Sequence, residues 1–269
     1  MSNKKVIKKE PKEPEKKSLS QKLWLAASTI LTVLAIYFIS QVVGLVILIY
    51  PVIRGWTNAQ ATHWVNTSTT AQFLYIAIVE LVTVLSVFGV LKLINKKPSY
   101  IDIRKPKKLD PVYGIAAYPI YYVCFLVIVI ILGIFIKSLN VAQHQNIGFN
   151  NVHDHYDLII TFISLVILAP IGEEILVRGY LYSGLRKAMP KIYAAVVTSL
   201  IFASAHLPEG KGGLLWIGFI DTFTLSMVLV FLRERTKGLY AGMTLHALKN
   251  GVAYYVLYLA PLIMSHPKF

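Results

Sequence analysis

The chain has 269 residues, of which 56% are hydrophobic and only 15% charged. Soluble domains run nearer about 45–50% apolar and about 25% charged, and the excess here lies in runs of roughly 20 residues, the length that crosses a bilayer as a helix. This excludes an ordinary soluble domain, and the formal net charge of +14 does not mark a nucleic-acid binder, because its Lys and Arg sit in an N-terminal tail and in short loops between apolar runs, as in cytoplasmic loops of membrane proteins.

Residues 1–20 read as a basic cytoplasmic tail, disordered and close to anionic membrane lipids. The tail is too long and too acidic for a signal-peptide n-region, so no cleaved signal is read. Residues 21–269 form the integral membrane domain. Apolar segments follow at 23–52, 71–94, 112–136, 158–182, 192–206, 214–232 and 239–264. The expected fold is an all-α, polytopic transmembrane helix bundle of seven spans, or eight if the last segment breaks near Gly251. The loops 95–110, 184–191 and 233–238 are basic, whereas 55–72 and 138–157 contain neither Lys nor Arg. Alternating spans put all the basic loops on the side of the tail, which places the N-terminus in the cytoplasm. The single cysteine, Cys124, excludes an intramolecular disulfide and a Cys-rich zinc site, and reads as a small packing residue.

Ionisable groups in hydrocarbon are costly and mark function. Here they are Glu80, Glu173, Glu174, Arg178, His206, Asp221, His246 and Lys249, with Asn250 beside the last. Glu174 and Arg178 are four apart, share a helix face and can neutralise each other, which leaves Glu173 about 100° around the helix for another task. Phe202 and His206 share a face, as do His246 and Asn250. Glu173 and His206 each lie about 16 residues from the turn at Met189-Pro190, so the two side chains are expected to meet about 24 Å from it. His246 matches that depth less well. Pro170 removes an N–H and is expected to bend its helix. Glu80 and Asp221 read as polar packing or cavity lining, and His153 to His155 as a solvated loop.

A carboxylate, two imidazoles and an amide in a shielded cavity are hydrolytic equipment. A glutamate can activate a water as general base. Two histidines and a carboxylate can hold Zn²⁺ with a position open for water, and a His with an Asn can instead donate hydrogen bonds to an oxyanion.

EEILVR fits EExxxR, FASAH fits FxxxH and HALKN fits HxxxN, each in a separate late apolar segment. In this the chain resembles the CAAX-protease and bacteriocin-processing (Abi) family of intramembrane proteases, over residues 158–264. The resemblance implies a membrane peptidase whose site is Glu173, Glu174, Arg178, His206, His246 and Asn250. Its substrate would be a peptide or a prenylated protein, and bacterial members are linked to bacteriocin or signalling-peptide processing and to self-immunity. Members are commonly labelled metalloproteases, which would make Glu173, His206 and His246 the zinc donors. Asn is a poor zinc ligand and HExxH is absent, which favours a metal-free scheme: Glu173 as base, His206 holding the water, His246 and Asn250 on the oxyanion. The alternative is a non-catalytic immunity or scaffold protein that keeps the fold and binds a peptide or partner. A proton-relaying transporter gains little, since no paired half-repeats are visible.

Overall fold

The computed structural model describes residues 18–143, 145–210 and 213–265, so the disorder expected for the tail falls, up to residue 17, outside the described residues. Eight helices carry the fold: α1 (Leu19–Ile53), α2 (Asn58–Thr67), α3 (Thr69–Leu93), α4 (Asp110–Phe135), α5 (His155–Ala188), α6 (Lys191–Ala205), α7 (Trp216–Thr236) and α8 (Tyr240–Met264). Among the described residues the one β interaction is an isolated bridge between Gln145 and Gly210. Polar side chains cap α1, α2, α3 and α5. Ser18 accepts from Gln21 N–H while the Gln21 side chain accepts from Ser18 N–H, a reciprocal capping box on α1. Asp154 caps α5 by accepting from Asp157 N–H, so the His153–His155 stretch is the start of a helix.

Among the described residues six helices are long and apolar enough to cross a membrane: α1, α3, α4, α5, α7 and α8. The fifth expected segment, 192–206, forms at its expected length as α6 but is too short to count as a span. α6 has 15 residues, about 22 Å at 1.5 Å per residue, which falls short of a hydrocarbon core of about 30 Å. It still returns the chain from the end of α5 to the start of α7, so the alternation survives. The break near Gly251 does not form, because α8 continues through a π-helical turn at Tyr255–Leu259. Leu31, Ile115, Ile130 and Ile134 stand exposed on α1 and α4, the surface expected where lipid is the solvent. Cys124 faces outward with them instead of packing inside.

Two apolar clusters hold the bundle. In one, Leu181, Tyr182 and Leu185 of α5 meet Val87 and Leu91 of α3, Ala194 and Phe202 of α6, and Val230 of α7. In the other, Ala117 and Tyr121 of α4 meet Leu225 and Leu229 of α7 and Leu245 of α8. The basic segments gather at one end. Arg104 donates to both carboxylate oxygens of Asp110, at 2.9 and 2.8 Å, and to the carbonyls of Thr236 and Lys237. Its hydrogen bond to Asp110 raises its pKa above the ordinary guanidinium value. Arg233 pairs with Asp102 at 2.9 Å, and Lys187 lies over the ring of Tyr100. The loop between α3 and α4 is thereby tied to the ends of α5 and α7.

α4 and α8 approach at Gly114. A Cβ there would lie 2.6 Å from the Ala241 carbonyl oxygen and 2.6 Å from Thr244 Cβ, closer than backbone can yield. Small residues at such a contact are what membrane helix pairs use for backbone approach. Gly114→Val is expected to push α8 away and destabilise the bundle by about 1–3 kcal/mol, measured as a fall in the unfolding temperature of the detergent-solubilised protein.

Candidate active site

The residues that converge come from α5, α6 and α8. α5 does not run as one regular helix. Its stretches Ile163–Leu168 and Glu174–Leu181 are π-helical, with Ala169–Glu173 between them. Such turns leave the α register and often mark functional sites. The proline is what the first of them lacks a bond for. Ala169 N–H reaches Ser164 O, five residues back. The next bond in that register would run from residue 170 to Leu165 O, and Pro170 has no N–H to give. Asn250 of α8 supplies the missing donor: its Nδ2 lies 2.9 Å from Leu165 O. The expected bend thus takes the form of a changed hydrogen-bond register, and one N–H of the Asn250 amide ties α8 to α5.

Glu174 and Arg178 form the pair that their spacing suggested. Arg178 Nη1 donates to Glu174 Oε1 at 2.9 Å, and the two side chains are 0% and 1% exposed. Arg178 Nε and Nη2 and Glu174 Oε2 have no hydrogen-bond partner. The guanidinium instead lies 4.2 Å from the centroid of the Phe202 ring, where the π face offsets part of the lost hydration. Phe202 also meets His206 edge-on at 4.7 Å and His246 at 6.2 Å. It is the contact common to the three motifs.

His246 bridges the glutamates. Its Nδ1 is 3.2 Å from Glu174 Oε1, and its Nε2 is 3.5 Å from Glu173 Oε2. Nδ1–H donates to Glu174, and a proton between Nε2 and Glu173 Oε2 keeps two lone pairs from facing each other. Depth alone pointed to His206; the imidazole within ion-pair distance of Glu173 is that of His246. Residues counted from a turn give height along the helix axis but not the face a side chain occupies. α8 packs on the π-helical and adjoining segments of α5, whereas α6 packs chiefly on α7. His206 instead ends α6, and its Nδ1 lies 2.9 Å from Phe202 O. A carbonyl only accepts, so Nδ1 carries the proton and Nε2 of the neutral ring is a bare acceptor.

Exposure separates the two glutamates. The Glu173 side chain is 28% exposed and that of Glu174 is 1%. Arg178 and His246 both hold Glu174 through Oε1, and Glu173 is the accessible carboxylate of the two. Among the described residues no three His, Cys, Asp or Glu side chains gather into a group that could hold a metal ion. Glu173 and His246 come together without a third donor of the expected set, so the residues present do not fit a zinc centre.

Two polar residues of the earlier spans fall into place separately. Asp221 of α7 accepts from the Tyr121 hydroxyl and pairs with Lys249 Nζ at 3.2 Å. This is a satisfied cluster between α4, α7 and α8. Glu80 of α3 lies over Gly172, and Glu173 is within its electrostatic reach. Its isolation as an acid in an apolar span marked it in the sequence; what it faces was not legible from spacing.

The fold and these side chains define a helical membrane bundle with a Glu–Glu–Arg–His constellation enclosed between α5, α6 and α8. Residues 155–252 match the family model described as Rce1-like, type II CAAX prenyl endopeptidase. That segment contains all three motifs, and over it the chain is similar to the CAAX-protease and bacteriocin-processing family. No match was found among curated proteins or among solved structures.

Two outcomes are expected from this geometry. Arg178→Met leaves the Glu174 carboxylate buried and uncompensated and costs about 3–5 kcal/mol, while the pair Glu174→Gln with Arg178→Met recovers most of the loss; denaturant unfolding in mild detergent measures both. Metal analysis of the purified protein is expected to give well under one zinc per chain, with peptide cleavage unchanged by chelators.

Proposed function

We propose that the chain is an intramembrane endopeptidase of the CAAX prenyl protease type. It hydrolyses a peptide bond in a lipidated or hydrophobic peptide by glutamate-activated water. The observation that carries this reading is the division between two adjacent carboxylates: Glu174 is sealed into the ion pair with Arg178, and Glu173 is accessible beside His246. The family match over residues 155–252 supports it.

In this reading a water sits between Glu173 and His206 Nε2. Glu173 takes one proton as the water oxygen bonds to the carbonyl carbon of the scissile bond. Negative charge moves to the carbonyl oxygen, where the second N–H of Asn250 donates to it and the Nε2–H of His246 turns to it from Glu173 as that carboxylate takes the proton. Collapse breaks the C–N bond, and Glu173 returns its proton to the departing nitrogen. Atoms balance as one water added across one peptide bond. Glu174 and Arg178 touch nothing that reacts; they hold His246 and the π-helical register of α5. The apolar part of the substrate reaches the cavity from the lipid. The tail side is the cytoplasm, the source is bacterial and the membrane is the plasma membrane, with bacteriocin or signalling-peptide processing or self-immunity as the setting.

The test is cleavage of a prenylated or hydrophobic peptide by the purified protein. Glu173→Ala is expected to lower kcat by about 10²–10⁴-fold while the protein still folds. Cleavage undiminished in that variant overturns the mechanism. If alanine at Glu173 and at His206 spares an immunity phenotype in cells, peptide or partner binding without catalysis is the function.

A further inference from the structure

α3 carries a single acid along its length, Glu80. It lies outside the matched segment 155–252, at the edge of the face that buries Val79, Thr83, Val87 and Leu91 against the bundle. Across from it stands Gly172. A Cβ at that position would overlap Oε2 of Glu80, so the carboxyl group rests on the α5 backbone in the space a side chain would fill. The next residue is Glu173. Of the charged groups on the helices packed against α3, Glu173 is the one within its electrostatic reach. Glu174, Arg178 and His246 are engaged with one another. Glu80 itself has no hydrogen bond or ion pair among the described residues. Packing alone does not call for this arrangement, because a Leu on α3 with an Ala at 172 would fill the same volume without placing a carboxyl group in an apolar span.

We infer that Glu80 is a positioning residue of the active site, framing Glu173 and its water from α3 as His246 frames Glu173 from α8. The water gives one proton to Glu173 and its other O–H to His206 Nε2, and the Glu80 carboxyl group beside Glu173 holds the base in the orientation that receives the first. That fixes the lone pair that attacks the carbonyl carbon. Gly172 is the companion feature, since its missing side chain is what lets the α3 carboxyl group come beside the base. The site then draws on four helices, one of them outside the segment that carries the three motifs. The inference rests on Glu173 being the base.

The experiment is steady-state peptide cleavage by purified full-length variants, with unfolding temperature measured in the same detergent. Glu80→Ala is expected to lower kcat by about 30–100-fold, the scale of a misplaced reacting group, with KM changed less than about 3-fold and the unfolding temperature held. Glu80→Gln keeps an accepting oxygen at the same reach and is expected to restore kcat to within about 5-fold of the parent. Gly172→Ala, which displaces the carboxyl group, is expected to lower kcat in the parent chain and to add little in the Glu80→Ala background, the non-additivity of two changes acting through one contact. Parent-like kcat in Glu80→Ala, or an equal Gly172→Ala cost in both backgrounds, overturns the inference. Cleavage that needs Glu173 but not Glu80 removes the inference and leaves the proposed function standing. Cleavage that does not need Glu173 removes both.

Discussion

A guanidinium and a carboxylate withdrawn from water inside an apolar bundle must answer each other or the helices carrying them cannot pack. Glu174 and Arg178 do so within one helix, four residues apart. Their pairing is incomplete by hydrogen-bond count: two Arg178 nitrogens and one Glu174 oxygen remain without partners. The rest of the site is arranged around that deficit. Phe202 brings a π face under the guanidinium, and His246 brings an N–H to the carboxylate. α6 and α8 are each held to α5 by one of these contacts. The charges that look least suited to a membrane segment are therefore what fix three helices relative to one another.

The same helix stores its irregularity where the chemistry needs it. A straight α-helix from His155 to Ala188 would keep the i to i+4 register throughout, and Pro170 would simply leave one carbonyl open. Two π-helical stretches instead place Ala169–Glu173 between them. The open carbonyl becomes an acceptor for Asn250. A single missing N–H is thus converted into a tie between α5 and α8, the helices that carry Glu173 and His246. It gives Asn250 a structural role beside any chemical one, the interhelical hydrogen bond by which membrane bundles join their helices.

Spacing on one helix proved a sound guide, and distance between helices did not. Glu174 with Arg178, and Phe202 with His206, were legible because a helix brings residues four apart onto one face whatever surrounds it. The partner of Glu173 was not. Matching heights suggested His206, and the structure brings His246 into direct contact, because rotation about the helix axis is settled by which helices pack together. α6 has the 15 residues its apolar run gave it, and the error lay in counting so short a run as a full span. Cys124 shows a third limit: in a membrane bundle an apolar stretch is apolar on its lipid face too, so composition does not say which residues turn inward.

The membrane class, the helical architecture, the three motifs and the internal ion pair follow from the sequence by itself, since hydrocarbon leaves the backbone few options and helical periodicity is local physics. Which imidazole meets which carboxylate, that Asn250 closes the bond Pro170 cannot make, and that Glu80 rests on Gly172 beside Glu173 were decided only by the tertiary structure. Each depends on the angle and rotation at which two helices pack, and those are set by side chains from several segments at once, far apart along the chain.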